Sequence, residues 1–86
     1  MLRITRQESG RDLILRLEGK LLEPWMDELF AALGTNGSIA RTTLDLSELS
    51  FVDEAGAGLL RELRRRGARL VGYSTFLAEV MQLEEP

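Results

Sequence analysis

The chain opens on a two-residue rhythm. Leu2 and Ile4 flank Arg3, and Thr5 follows, which is the period of a half-buried strand. The polar stretch Glu8-Ser9-Gly10-Arg11-Asp12 reads as a turn. Beyond it, Leu13, Leu15 and Leu17 place one apolar face on a second strand, with Ile14 on the other face and Arg16 and Glu18 toward water. Two such runs around a glycine-containing turn predict a hairpin, closing at Gly19 and Lys20. The period then lengthens. Behind Leu22-Glu23-Pro24-Trp25, the residues Trp25, Met26, Leu29, Phe30 and Leu33 share one helical stripe. Pro24 suits the first helical position, where no amide hydrogen is needed. Gly34 is a natural stop, and Thr35 to Ser38 a loop.

Arg41 to Leu46 predicts a third strand and Ser47 to Phe51 a connection. Asp53 stands where a helix N-cap belongs, because its carboxylate can accept an amide hydrogen of the first turn. Ala55, Gly56, Leu59, Leu60 and Leu63 then mark a helix face, with Arg61, Arg64 and Arg65 outside it and Gly67 closing it. Arg69 to Tyr73 reads as a fourth strand. Ser74 is a cap for a last helix with Phe76, Leu77, Val80, Met81 and Leu83 on its apolar face, before the tail Glu84-Glu85-Pro86. The later β-α-β-α run favours a parallel pair with helices packed on it, and the opening hairpin adds an antiparallel edge. The expected fold class is therefore α/β, a four-stranded mixed sheet with about three helices. Ligands of such sheets bind beyond the carboxyl ends of the strands, here Leu46 to Gly58.

Composition narrows the chemistry. With 86 residues there is room for one domain, 1–86, and Cys 0 and His 0 remove cysteine nucleophiles, serine–histidine–aspartate hydrolysis, CxxC pairs and Cys/His zinc sites. What remains is carboxylates, hydroxyls, arginines and the single lysine Lys20, so a non-enzymatic binding module without a cofactor is the better expectation. A 44% hydrophobic and 29% charged chain is ordinary for a globular protein. Net charge −3 argues against a dedicated nucleic-acid binder. No apolar run approaches the roughly 18 residues of a membrane span, and the N-terminus lacks an apolar signal core. Direct membrane insertion is not expected, and cytoplasm is the expected compartment.

The stretch Leu44-Asp45-Leu46-Ser47-Glu48-Leu49-Ser50-Phe51-Val52-Asp53-Glu54-Ala55-Gly56-Ala57-Gly58-Leu59-Leu60 resembles the central motif of STAS domains. Its parts are an apolar strand ending in Asp-Leu-Ser, a segment with an aromatic and a β-branched residue, then Asp-x-x-Gly opening a helix. Leu15 to Leu21 is similar to the family's early apolar-x-Gly-x-Leu signature, and Arg69 to Ser74 to its fourth strand and turn. The resemblance spans roughly Leu13 to Leu83. It implies a bacterial signalling module of the anti-sigma factor antagonist kind, which regulates transcription by partner switching. Docking to an anti-sigma factor that is also a serine kinase would use Asp53, Glu54, Ala55, Gly56, Ala57 and Gly58, with Asp45 structural. In antagonists the residue before the motif glycine is a phosphorylated serine. Here it is Ala55, so that switch is absent, and Glu54 precedes it. Ala55 matches an unmodified, permanently docking surface, whereas Glu54 puts a charge on the first turn that partly mimics phosphate. The first is favoured, because a carboxylate carries less charge than a phosphate and sits one residue away. The alternative is a STAS accessory subunit of a lipid or anion transporter, where steady docking is natural. Family members continue past the third helix, so this shortened C-terminus leads to the expectation of a homodimer or partner complex.

Plainer readings stand beside these. Asp53 is first of all a cap. Gly56 and Gly58 cost about 1 kcal/mol each in a helix, which suggests close packing. Arg61, Arg64, Arg65, Arg66 and Arg69 form a basic cluster that could bind phosphate or RNA, but more plainly three of them end a helix, where positive charge offsets the dipole. Trp25 is core or semi-core. Ser50 is an alternative phosphorylation target, but more simply a serine bonded to backbone. Asp45, Asp53 and Glu54 have no spacing diagnostic of Mg²⁺.

Overall fold

A computed structural model describes residues 2–33 and 39–82. Strand β1 (Leu2–Ser9) pairs antiparallel with β2 (Asp12–Leu21), from Leu2↔Gly19 to Ser9↔Asp12. Only Gly10 and Arg11 turn the hairpin, so the strands run further into the polar stretch than their apolar residues suggest. Gly10 has φ +62°, as the first central residue of a II′-type turn requires. A short 3-10 turn, Glu23–Trp25, precedes helix α1 (Met26–Leu33), with Pro24 in that turn. A second 3-10 turn, Ile39–Arg41, enters β3 (Thr42–Val52). Helix α2 (Glu54–Arg65), the short strand β4 (Arg69–Val71) and helix α3 (Thr75–Val80) complete the order. The stop and loop expected at Gly34 to Ser38, the contribution of Leu83 and the tail Glu84-Glu85-Pro86 lie outside the described residues.

The sheet order is β1-β2-β3-β4, with β3 parallel to both β2 and β4. Both crossovers step one strand in the same direction, so their common right hand sets α1 and α2 on one face. Leu13, Leu15, Leu17 and Leu21 of β2 and Leu44, Leu46, Leu49 and Val52 of β3 project into one buried cluster. Leu29 and Leu33 of α1, Ala57, Leu60 and Leu63 of α2, and Leu77 of α3 join it from the helices. The alternate residues Arg16, Lys20 and Ser47 remain exposed.

The largest departure from the sequence reading concerns Ser47 to Phe51. These residues form no connection; they continue β3, which pairs with β2 as far as Leu21↔Val52. The register shifts between Arg16 and Glu18 and again between Gly19 and Lys20. Such irregularities break the two-residue alternation, so Ser47 and Glu48 are both exposed and the segment imitates a loop. Strand β4 ends at Val71, two residues short of Tyr73. Two aromatics assigned to buried stripes are half exposed instead, Phe30 at 50% and Phe76 at 52%. Each helix is narrow enough that two leucine-sized positions fill its core face, Leu29 and Leu33 in α1, and Leu77 with Met81 at α3.

Candidate docking surface

Parallel pairing puts the carboxyl ends of β2, β3 and β4 at one end of the sheet, and each is followed there by a helical start. Asp53 joins two of these starts. Its Oδ1 accepts the amide of Gly56 at 2.8 Å, capping α2, and its Oδ2 accepts the amide of Glu23 at 2.9 Å, at the 3-10 turn before α1. Its own amide donates to the Leu21 carbonyl at 3.2 Å, tying the segment to the last residue of β2. The cap is the one foreseen; the second bond, thirty residues away in sequence, carries no local signal. The Gly56 amide, then the Glu23 amide, hold the Asp53 carboxyl below its ordinary pKa.

Gly56 is required for this geometry. A Cβ there would stand 2.5 Å from the Leu21 carbonyl oxygen and 3.1 Å from Leu21 Cγ, so helix α2 meets strand β2 without room for a methyl group. Gly58 differs. Its nearest neighbour would be Arg61 Nη2 at 3.9 Å, and among the described residues no packing calls for a glycine. Among the residues of the Asp53–Gly58 segment, Gly56 and Ala57 are buried, Glu54 is exposed, and Asp53, Ala55 and Gly58 are half-buried. The surface available to a partner is therefore Asp53, Glu54, Ala55 and Gly58, carried on a backbone fixed from beneath.

Ser50 lies in β3, not a loop, and its hydroxyl donates to the Gly19 carbonyl of β2 at 2.9 Å. Asp45 sits mid-strand, level with Arg16 and Val71, well short of the strand's end. Its Oδ1 accepts the Ser47 amide at 3.0 Å, and bonds from the Ser47 amide and hydroxyl lower its pKa. Asp45 is thus kept apart from Asp53 and Glu54, and among the described residues no group of three or more acidic side chains could hold a metal ion. The basic cluster is engaged mostly with its own helices. Arg65 and Arg66 bond Glu62 at 2.9 Å each, and Arg61 donates to the Met81 carbonyl at 3.2 Å beyond α3. Trp25 is half-buried against the core.

One feature of this end was not read as part of the site from the sequence. Phe51, near the end of β3, stacks on Phe76 of the first turn of α3, with ring centroids 6.4 Å apart. Both rings are well exposed, Phe51 at 40%. The signal available was an aromatic beside Asp53, but assigning Phe76 to the core left it unpaired.

No protein-family model matches the chain, and no curated protein matches it. Solved structures do. The anti-sigma factor antagonist SpoIIAA in its unphosphorylated form aligns with a TM-score of 0.67 at 19% identity, over 95% of this chain and 84% of that one. An antisigma-factor antagonist STAS domain from Rhodobacter sphaeroides aligns with a TM-score of 0.60 at 26% identity, over 83% and 86%. An uncharacterised protein with a SpoIIAA-like fold from Shewanella loihica gives 0.50 at 18% identity, over 95% and 75%. The chain has a STAS-like fold. Among the described residues no helix is long and apolar enough to cross a membrane.

Proposed function

We propose that the chain is a non-enzymatic docking module of the anti-sigma factor antagonist kind. Its partner surface is the exposed part of the Asp53–Gly58 segment, and its partner is a switch kinase or anti-sigma factor. The observation that carries this reading is the Asp53 bridge. One carboxylate fixes the start of α2 against the turn before α1, so Glu54, Ala55 and Gly58 are presented on a rigid base. Preorganisation of that sort reduces the ordering cost of association. Likeness to the Rhodobacter sphaeroides antagonist domain supports a regulatory protein-interaction module.

Ala55 sets the mode. Methyl in place of hydroxyl leaves no acceptor for phosphate, so docking at this position is constitutive. SpoIIAA is described in an unphosphorylated form, the state that Ala55 would imitate permanently. The same residue favours the second reading, a steadily docked accessory subunit of a transporter, in which no switch is needed.

The test is co-purification of the tagged chain with a candidate switch kinase of the anti-sigma factor type, comparing wild type and Ala55→Ser with and without ATP. Constitutive docking predicts that wild type stays bound in both conditions, while Ala55→Ser gains phosphate and is released. If wild type fails to bind and Glu54→Ser restores binding, Glu54 acts as an inhibitory mimic instead. If both forms bind alike and neither is phosphorylated, partner switching is refuted and the transporter reading takes its place.

A further inference from the structure

The aromatic pair gives the docking end a chemistry beyond shape. Phe51 and Phe76 stack with an interplanar angle of 29°, and both residues keep much of their surface in water. Phe51 precedes Glu54 by three residues, so their backbones lie within about 10 Å of each other. Glu54 and Glu23 are exposed, and neither carboxylate makes an ion pair or hydrogen bond among the described residues. Asp53, by contrast, spends both oxygens on amides. Lys20, the register partner of Phe51, is exposed and makes no ion pair among the described residues. This end of the sheet therefore offers open π surface near two unpaired carboxylates, set against the one unpaired ammonium of Lys20. A guanidinium fits both, because it is planar, stacks on aromatic rings and forks onto a carboxylate; an ammonium fits only the charge as well.

We infer that this face takes an arginine-bearing segment of a protein partner, with the guanidinium laid on the Phe51–Phe76 pair and directed at Glu54. The inference deepens the docking reading above and rests on it. A second copy of this chain, which carries its own exposed Arg64, is the competing occupant.

The full chain is titrated with a hexa-arginine amide peptide and, in parallel, a hexalysine amide peptide, followed by backbone and aromatic-ring NMR. Saturable shifts are expected at Phe51, Glu54 and Phe76, with arginine preferred by about two- to fivefold, the size of an exposed cation–π contact. Phe51→Leu and Phe76→Leu replace exposed rings, so both should stay folded by circular dichroism while abolishing that preference. Glu54→Gln should weaken both peptides alike. Equal affinity of the two peptides, shifts centred on Glu48 or Glu28, or no saturable binding would overturn the inference. So would a dimer, by light scattering, that dissociates on Phe76→Leu. A chain that prefers arginine as stated but never co-purifies with the kinase sinks the partner assignment alone. Co-purification without the arginine preference sinks only the chemistry argued here.

Discussion

Asp53 is the place where the architecture can be tested by subtraction. Its two oxygens hold two amides on different elements, so two substitutions remove different parts of the bridge. Asp53→Ala removes the cap on Gly56, worth about 1 kcal/mol. It also removes the bond to the Glu23 amide, a charge-assisted bond at a half-buried position, for which about 1 kcal/mol is the appropriate low figure. The two lie on separate elements and should act nearly independently, giving a loss of about 2 kcal/mol. For a domain of this size that lowers the melting temperature by about 8–16 °C. Asp53→Asn is the informative partner. Its single carbonyl oxygen can keep the α2 cap, but its amide group is a donor facing the Glu23 donor, so it should lose about 1 kcal/mol. Asp53→Ser retains a cap and cannot reach both amides, and should fall near the asparagine variant.

Thermal unfolding followed by circular dichroism at neutral pH measures all three. The variants should rank alanine below asparagine and serine, and these below wild type. If alanine and asparagine are equally destabilised, the oxygens do not act separately. If alanine costs under about 0.5 kcal/mol, in the range of an ordinary surface change, then the bridge does not hold this end of the sheet and the rigid-base argument falls with it.

The remaining tests separate neighbours that look equivalent in sequence. Gly58→Ala should raise stability by up to about 1 kcal/mol, since its Cβ would make no more than an ordinary contact with Arg61 and alanine is the better helix former. Gly56→Ala should lower it by about 1–3 kcal/mol by forcing α2 off the Leu21 carbonyl; both are read from urea midpoints. Leu77→Ala should cost about 2–5 kcal/mol and Phe76→Ser far less, because Leu77 is fully buried and Phe76 is 52% exposed; similar losses would mean that α3 docks the other way round. The carboxyls of Asp45, Asp53 and Glu62 are all shifted down. The unfolded chain then binds their protons more readily than the native one. Their stabilisation is complete above the ordinary carboxylate range near about 4 and is lost as pH falls through their depressed values. An acid titration of the melting temperature should show the Asp53→Ala difference shrinking in that window; a difference unchanged down to full protonation would refute the assignment.

How far the sequence could be read depended on how local each cause is. The caps at Asp53 and Ser74 were legible because a side chain and an amide three residues on decide them, and Ser74 accepts the Leu77 amide as expected. Leu13, Leu15 and Leu17 announced β2 because one face of that strand is buried without interruption. Ser47 to Phe51 misled for the opposite reason. Its strand character comes from pairing with Glu18 to Lys20, and the register shifts along that stretch remove the alternation by which a strand is recognised. Phe76 misled because a six-residue helix has too few positions for the period to say which of two adjacent apolar residues is inside. The bond from the Glu23 amide to Asp53 spans a crossover and has no signature in either segment.

These two kinds of miss converge on the same end of the sheet. The irregular tail of β3 delivers Phe51, the short α3 delivers Phe76, and the long-range bond fixes the backbone between them and α1. Gly58 belongs with them. A glycine within α2 costs stability, and at Gly56 close approach to Leu21 accounts for it, whereas at Gly58 nothing among the described residues does. Exposed aromatic surface, a Glu54 unpaired among the described residues and a helix glycine with no packing reason among them are each unfavourable or neutral for folding alone. Their concentration around a rigid Asp53 bridge is what a surface selected for contact with another protein requires. If Gly58→Ala stabilises the chain yet weakens capture by the proposed kinase partner while Asp53 remains intact, the cost at Gly58 is set by that partner. If Gly58→Ala stabilises the chain and leaves capture unchanged, contact does not reach that turn of α2, and the surface contracts to Glu54, Ala55 and the aromatic pair.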